Sequence, residues 1–195
     1  MKSLDEALRL GKTLRVIGVD DAPFGRARGS RVHVAAVVCA LTRMEGMCWG
    51  HATRDGRDAT DVIGALIASS KFLDQSHLVL LDGVAISGWN VIDLEALHQR
   101  LDRPCVAVMR RPPDMGAVER SLALFEDGAE RLAIIRRAGP IHTHDPFVFQ
   151  VVGAAPNPTA EALSRLTDRG HVPEALRLAH LIGAAVMTGQ SSQRA

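Results

Sequence analysis

The chain has little of three things that mark common protein classes: aromatic side chains, cysteines and long apolar runs. Aromatic residues make up 4% of its 195 residues, tyrosine is absent, and the three cysteines show no C-x-x-C spacing. An odd cysteine count without that spacing argues against a disulfide framework and a cysteine zinc site, so we expect reduced thiols. No apolar run approaches the roughly 20 residues of a membrane-spanning helix, and no export signal is readable. We therefore expect a cytoplasmic protein without membrane contacts.

An excess of charge of one sign is also missing. The 23 basic residues stand against 22 acidic ones, which gives a net charge of +1. This balance argues against a protein that binds nucleic acid through an overall positive field, so any such contact must be a local patch. Only three of the basic residues are lysines. The arginine bias suits bidentate phosphate recognition, but a GC-rich coding genome would produce the same bias.

Length and composition indicate one globular domain. Apolar residues make up 47% of the chain and charged residues 23%, which is ordinary for a folded domain of this size. We assign residues 1–195 to a single domain, with 1–12 as an N-terminal extension and 190–195 as a C-terminal tail, both expected to be mobile.

Apolar periodicity and turn residues predict strands that give way to alternating strands and helices. The predicted strands are Leu14–Val19, Val32–Leu41, Gly46–Thr53, Leu78–Leu81, Cys105–Met109, Leu132–Ile135 and Phe147–Val152. The predicted helices are Leu4–Leu10, one that begins after Asp58, Val91–Leu101, Met115–Phe125, Thr159–Thr167 and Pro173–Met187. Short connections make the first three strands an antiparallel meander, which continues into parallel strands through right-handed crossovers. This order is typical of the α/β ribonuclease H-like fold, a mixed sheet flanked by helices.

Two of the predicted apolar strands end in aspartate. Asp20 follows Val16–Val19, and Asp82 follows Val79–Leu81. Ligand sites in open α/β sheets form beyond the carboxyl ends of strands, and these two strands are neighbours in the predicted fold. The two carboxylates should therefore face each other. Because facing carboxylates repel, a hard cation such as Mg²⁺ between them best explains the pattern.

A third carboxylate would complete such a metal site. Asp58, at the start of the first long helix, can approach the same edge, and Asp55 is a second candidate. The structural alternatives are a strand end at Asp20 or Asp21, a helix cap at Asp58 and a turn at Asp82. The occurrence of these residues together at one edge of the fold favours the metal site.

Four blocks of the sequence resemble the signature blocks of a known family. They are RVIGVDDAPF, DGRDAT, LVLLDGVAISGWNVID and HVPEALRLAHLIGAAVMTG, and they run in order from about Arg15 to Gly189. The blocks are similar to those of the endonuclease dU family, an uncharacterised and largely archaeal family related to endonuclease V. The resemblance implies a ribonuclease H-like nuclease that uses Mg²⁺ or Mn²⁺ and acts on DNA or RNA at deaminated bases, either uracil or hypoxanthine, with a role in DNA repair.

The resemblance to endonuclease V also implies roles for single residues. Asp20 corresponds to the first catalytic aspartate of endonuclease V, Asp82 to the second, and Asp58 to its glutamate. The implied mechanism is phosphodiester hydrolysis in which these three carboxylates hold one or two divalent ions.

Two positions depart from the endonuclease V pattern. Arg110 and Arg111 stand where endonuclease V has a lysine, and its C-terminal histidine corresponds to Ala154 or Ala155. Either arginine can clamp the scissile phosphate, and a solvated basic turn is the alternative.

Further residues are candidates for contact with nucleic acid. A deaminated base must leave the stack to be read, so a planar or apolar wedge is expected, although Trp89 can equally belong to the core. Arginines of the loop after the first strand can track the phosphate backbone. The candidates are Phe24, Arg26, Arg28, Trp89, Asn90 and Arg111.

The last predicted helix carries three polar residues on one side. Glu174, Arg177 and His180 follow one another at intervals of three, so Arg177 can contact both neighbours. The helix is apolar nearly all round, which favours a role in fold support for all three. A site-facing role for His180 is the alternative.

Two other function classes stay open from the sequence. One is a nucleic-acid or nucleotide binding protein that keeps the fold but cuts slowly or not at all. The other is a small-molecule phosphohydrolase that uses the same carboxylate edge. Metal-dependent cutting of oligonucleotides discriminates between these classes, while the base, DNA or RNA, and the oligomeric state are not readable.

Overall fold

The helices and strands of residues 3–191, the part of the chain that the computed structural model describes, follow the predicted alternation closely. The strands are β1 (Arg15–Asp21), β2 (Arg31–Ala40), β3 (Arg43–Thr53), β4 (Leu78–Asp82), β5 (Ala85–Ile86), β6 (Asn90–Val91), β7 (Cys105–Met109), β8 (His142–His144) and β9 (Phe147–Val152). The helices are α1 (Leu4–Arg9), α2 (Ala59–Ala68), α3 (Leu94–Leu101), α4 (Met115–Leu122), α5 (Gly128–Arg137), α6 (Pro156–Arg165) and α7 (Glu174–Thr188).

Seven strands form one mixed sheet in the order β3-β2-β1-β4-β7-β9-β8. The first three strands are an antiparallel meander, and β4 and β7 extend the sheet parallel to β1. The predicted ribonuclease H-like fold class is therefore confirmed. The parallel part ends at β7, because β9 pairs with it in the antiparallel direction.

One predicted strand is wrong. Leu132–Ile135 lies inside helix α5, and a two-strand hairpin of β8 and β9 follows it. A short apolar run is compatible with either a strand or a buried helix turn, so periodicity alone does not decide between them. The predicted helix Val91–Leu101 also begins later, at Leu94, because Asp93 caps it by accepting the backbone N–H groups of Glu95 and Ala96.

The sheet separates two apolar layers, and alternation along β1 assigns side chains to each. Val16 packs with α1, α6 and α7, whereas Ile17 and Val19 pack with α2 and α3. Successive strand residues point to opposite faces. Asp20 at the end of β1 therefore faces the α7 side, and Asp21 faces the opposite side.

Part of the expected N-terminal extension belongs to the core. Helix α1 buries Leu4, Ala7 and Leu8 in the layer formed with α6 and α7. The expected mobility of residues 1–2 and 192–195 concerns positions outside the described residues. Between residues 3 and 191, every helix is too short or too polar to span a bilayer.

Helix α7 lies unusually close to β1, and Gly18 is the reason. A Cβ atom at Gly18 would stand 2.6 Å from the backbone carbon of Ala175 and 2.7 Å from its Cβ. Such distances do not occur between real side chains, so only glycine allows this approach. Gly183, two turns further along α7, makes a less extreme contact with Ala22, just after β1, with 3.1 Å from a Cβ to the Ala22 Cα. The two glycines fix the register of α7 on β1.

We expect Gly18→Ala to lower the free energy of unfolding by about 1–3 kcal/mol, the usual cost of overpacking a core. The neighbouring backbone of α7 would have to move to admit the methyl group. Urea titration followed by circular dichroism measures the effect. Gly25→Ala is the matched control, because a Cβ there meets nothing within 4 Å. Equal stabilities of the two variants would contradict the close approach.

Candidate active site

Asp20 and Asp82 stand side by side at the carboxyl edge of the sheet. Strands β1 and β4 are parallel with Val19 opposite Leu81, so the next residue on each strand is an aspartate. Asp20 is almost fully buried, at 5% exposure, and Asp82 is partly buried. The sequence thus places two carboxylates together where water solvates them poorly.

The electrostatics of this pair show the cost of the arrangement. Burial, and then the charges of Asp82 and Asp21, raise the pKa of Asp20 from its ordinary value of 3.8 to about 8. Burial also raises the pKa of Asp82, while the charges of Arg110 and His180 oppose that rise. Without a cation, one or more of these carboxyl groups therefore retain a proton at neutral pH.

Asp21 belongs to the same charged cluster, although it faces the other side of the sheet. Burial raises its pKa, and Asp82 acts in the same direction. Its Oδ2 accepts a hydrogen bond from the backbone N–H of Ser87, in the loop after β4. Ser87 is fully buried, has a left-handed backbone with φ of 54°, and its Oγ lacks a partner among the described residues.

His180 of α7 reaches the cluster from the other layer. Its Nδ1 lies 3.0 Å from Asp20 Oδ2, and its side chain is 29% exposed. Glu174 and Arg177 pair with each other, as predicted, at 2.8 Å between Arg177 Nε and Glu174 Oε2. His180 is thus separated from that pair and has the site-facing position that was the alternative for it.

Ala154 and Ala155, the positions that the resemblance assigns to the C-terminal histidine of endonuclease V, lie at the opposite end of the sheet from the carboxylates. Those residues follow Val152, which pairs with Cys105 at the start of β7, whereas Asp82 lies opposite Val108 near its end. The antiparallel direction of β9 therefore carries the chain away from the carboxylates. His180 is the histidine that lies beside them.

The two arginines after β7 have different contacts with the site. Arg110 is exposed, and its charge lowers the pKa of both Asp20 and Asp82. Arg111 is also exposed, and the structure gives it no role at the carboxylates. Arg110 therefore stands where its charge reaches the edge of the sheet.

Asp58 has its oxygens occupied by other partners. They accept hydrogen bonds from the Thr53 backbone at 3.1 Å, from Thr53 Oγ1 at 2.7 Å and from Asn90 Nδ2 at 2.6 Å. Burial alone would raise the pKa of Asp58, but these bonds outweigh it, so the pKa lies below the ordinary value. The contacts tie the end of β3 to β6 and give Asp58 a structural function in this conformation.

The predicted wedge residues separate into buried and exposed ones. Asn90 is fully buried, and its side chain bonds Thr53 O and the Ala59 N–H as well as Asp58. Trp89 is partly buried against the small apolar cluster around α4 and α5. Phe24 is exposed, with the Arg54 guanidinium 5.6 Å from its ring centre.

The predicted arginine loop and Asp55 lie beside the carboxylate edge. Arg26 is exposed in that loop, and the Arg28 guanidinium stacks 4.1 Å from the ring centre of Phe125. Asp55 accepts a hydrogen bond from the Trp89 backbone at 2.9 Å and faces Arg54. It does not join Asp20.

Sequence reasoning missed Arg131, a buried arginine at 6% exposure. Its guanidinium donates to the backbone oxygens of Gly56 at 3.1 Å and Asp55 at 3.0 Å, to that of Trp89, and to the Asp127 carboxylate at 2.8 Å. It therefore holds the loop after β3 against the loop after β4. If a helix over residues 128–137 had been predicted in place of a strand, this arginine would have been placed on its buried face.

The donor set at the sheet edge fits a hard divalent cation. Among residues 3–191, no three His, Cys, Asp or Glu side chains are spaced to hold a metal ion by themselves. Mg²⁺ requires only one or two carboxylates, because waters and substrate phosphates fill its other positions. Asp20 and Asp82 supply that pair, and their mutual repulsion is what a cation would relieve.

The chain is similar over most of its length to one known protein family and to proteins of several archaea. A family model described as endonuclease dU matches residues 12–187. A UPF0215 protein of Methanopyrus kandleri is 33% identical over 188 residues, which cover 93% of this chain and 95% of the relative. A solved protein of unknown function from Archaeoglobus fulgidus superposes with a TM-score of 0.84 at 29% identity, over 89% of this chain and 98% of that one.

More distant solved structures share the fold. Endonuclease V from Bacillus subtilis has a TM-score of 0.61 at 11% identity, over 97% of this chain and 84% of that chain. Endonuclease V from Ciona intestinalis, in complex with a DNA that contains an inosine followed by a ribo-adenosine, has a TM-score of 0.55 at 12% identity. That alignment covers 87% of this chain and 84% of the Ciona chain.

Proposed function

The chain belongs to the endonuclease dU family, and we propose that it is a divalent-metal-dependent endonuclease that hydrolyses nucleic acid near deaminated bases, uracil or hypoxanthine. The observation that carries this proposal is the Asp20–Asp82 pair, buried at adjacent strand ends of a fold shared with endonuclease V. Strongly perturbed pKa values cluster at functional sites, where catalytic groups need them. A DNA repair role belongs to the same proposal.

The residues at the sheet edge have separate functions in this mechanism. Asp20 and Asp82 would hold Mg²⁺ or Mn²⁺, which when bound supplies charge neutralisation and an acidified water. His180 fixes one oxygen of Asp20 and can hold a proton at its Nδ1 when that carboxylate ionises. Arg110 balances the negative charge of the pair and, being exposed, is free to contact a phosphate.

The shared fold favours nucleic acid as the substrate class. The Ciona endonuclease V binds DNA that contains inosine, and the shared fold makes a similar nucleic acid the first candidate here. Arg110, whose charge acts on both carboxylates, is the first candidate for the local positive contact that a protein of net charge +1 needs for such binding, and the exposed Arg26 and Arg111 are further candidates.

We expect cleavage of oligonucleotides that contain uracil or hypoxanthine in Mg²⁺ or Mn²⁺, and none in EDTA. The assay uses end-labelled DNA and RNA strands with one deaminated base, beside strands of the same sequence with normal bases. Cleavage that persists in EDTA would contradict metal dependence. Equal cleavage of normal strands would contradict lesion recognition, and tight binding without cleavage would move the protein to the class of binding proteins.

A further inference from the structure

A cleft of about 690 Å³ lies between the loop after β3 and the turn that joins α4 to α5. Asp55 and Arg28 line one side of it, and Phe125 with the exposed Leu124 lines the other. The proposed mechanism uses none of these four residues. The aromatic ring, the guanidinium and the carboxylate are groups that can stack on and hydrogen-bond to a planar ligand.

Two guanidinium groups stack on the Phe125 ring in the cleft, and we call the three groups the platform: Arg131 is fixed, and Arg28 is exposed. The Phe125 ring centre lies 4.6 Å from the guanidinium of Arg131 and 4.1 Å from that of Arg28. Arg131 is buried and held by backbone oxygens. The Arg28 side chain is 60% exposed, and its Nε stands 4.0 Å from Asp55 Oδ2, beyond hydrogen-bond distance. The plane of Arg28 is therefore available to stack on a nucleobase.

The polar groups beside the platform have unused capacity. Asp55 Oδ1 accepts the Trp89 N–H, but Oδ2 has only the Arg54 Nε at 3.4 Å and the Arg28 Nε at 4.0 Å. The Arg54 Nε is buried and has no hydrogen-bond partner among the described residues. Asp55 Oδ2 can therefore accept a hydrogen bond from a ligand in the cleft.

The charges of the cleft favour a neutral ligand over a phosphate. Its lining holds three arginines and three acidic residues. Arg57 and Arg131 already pair with Asp127, at 2.5 Å and 2.8 Å from its Oδ2. A phosphate would meet no net positive charge and would be repelled by Asp55. An uncharged planar ring with both donors and acceptors avoids this repulsion.

Hydrogen bonds connect the cleft to the carboxylate edge. The Asp55 N–H donates to Ser87 O at 2.8 Å, and the Ser87 N–H donates to Asp21 Oδ2. One residue therefore separates the cleft from the cluster of Asp20, Asp21 and Asp82. A strand whose phosphate lies at that cluster has a nucleobase within reach of Asp55.

We propose that this cleft holds an unstacked nucleobase and that Asp55 selects a base with a ring N–H beside a carbonyl. The Asp55 carboxylate accepts the ring N–H of such a base. Uracil and hypoxanthine present such a ring N–H, as do thymine and guanine. In cytosine and adenine the corresponding ring nitrogen is an acceptor, so it would face the lone pairs of the carboxylate. The inference rests on the proposed function and names the residue that distinguishes uracil or hypoxanthine from the cytosine or adenine from which it derives.

Asp55→Asn tests this selection, because an amide both donates and accepts and asparagine tolerates the left-handed backbone at this position, φ 55°. Fluorescence anisotropy in EDTA measures dissociation constants for strands with one uracil or hypoxanthine and for strands with cytosine or adenine there. We expect the wild type to prefer the deaminated base by about 10-fold or more, and the variant to lose most of that ratio. Asp102→Asn is the matched control, since Asp102 is also left-handed and its side chain is 99% exposed.

Arg28→Leu separates base stacking from a phosphate contact. Loss of a stacking plane weakens binding of every strand that places a base in the cleft, because each base has a flat face, and leaves the salt dependence of binding unchanged. Loss of a phosphate contact weakens all strands equally and lowers the salt slope by about one, which would contradict the inference for this arginine.

The outcomes distinguish the inference from the proposed function. An unchanged binding ratio in Asp55→Asn overturns the inference, whether or not the wild type cuts. A wild type that binds all four strands equally also overturns it. A lost ratio in Asp55→Asn together with an absence of cleavage in any metal supports the base site and overturns the nuclease.

Discussion

Asp82→Asn is expected to lower the rate of lesion-dependent cleavage by more than about 100-fold while the fold stays intact. Loss of an outer partner of a metal ligand already costs 10–100-fold, so loss of a direct carboxylate ligand should cost more. Asp82 ends β4, beside Asp20 at the end of β1, and the amide keeps its size. Single-turnover cleavage of a uracil or hypoxanthine strand in Mg²⁺ measures the loss.

The control for this experiment is Asp61→Asn. The Asp61 side chain is 86% exposed on α2 and pairs only loosely with Arg100, at 3.3 Å. Both variants lose one carboxylate, so a difference in cleavage belongs to the position and not to the charge. Thermal unfolding of both proteins verifies that they are folded. Cleavage by Asp82→Asn at the wild-type rate would remove the carboxylate pair from the mechanism.

Asp20→Asn is expected to stabilise the metal-free protein at pH 8 by on the order of 2 kcal/mol, or roughly 4–8 °C in Tm. In the wild type, burial and then the charges of Asp82 and Asp21 raise the pKa of Asp20 to about 8, from 3.8. The folded protein therefore holds this proton more tightly than the unfolded chain. The resulting stability is fully present below about pH 4 and is lost as the pH rises through about 8.

Thermal unfolding in EDTA at several pH values between 4 and 9 tests this expectation. The wild type should lose stability across that range, and Asp20→Asn should lose less, because it has no proton to release at this position. Added Mg²⁺ should restore the wild type at pH 8 and leave the variant nearly unchanged, since a bound ion stabilises the folded state that holds it. A variant that is less stable than the wild type at pH 8 would contradict the expectation that the ionised Asp20 destabilises the metal-free fold.

The carboxylate part of the candidate site can be predicted from the sequence alone. Strands that end in aspartate are visible without a structure, so the Asp20–Asp82 pair and the fold that brings it together were predictable. The pattern shows where each strand stops, and parallel neighbours have their ends at the same edge. Local signals are sufficient for this part of the site.

The remaining residues depend on contacts that local signals do not contain. Asp58 follows a strand and precedes a helix, as a ligand would, but Thr53 and Asn90 occupy its oxygens. His180 reaches Asp20 only because two glycines let α7 lie directly on β1. The buried position of Arg131 was not predicted, because the apolar run that follows it was interpreted as a strand, and periodicity does not separate a strand from a helix in so short a run.

The close packing of α7 on β1 has a consequence for the order in which the site forms during synthesis. His180 and Asp20 are 160 residues apart in sequence, and the helix that carries His180 is the last one described. A nascent chain on the ribosome therefore possesses both aspartates long before it possesses the histidine and the helix that covers β1. Assembly of the complete carboxylate cluster therefore has to await synthesis of α7, and a chain that stops before α7 would lack the contact between His180 and Asp20.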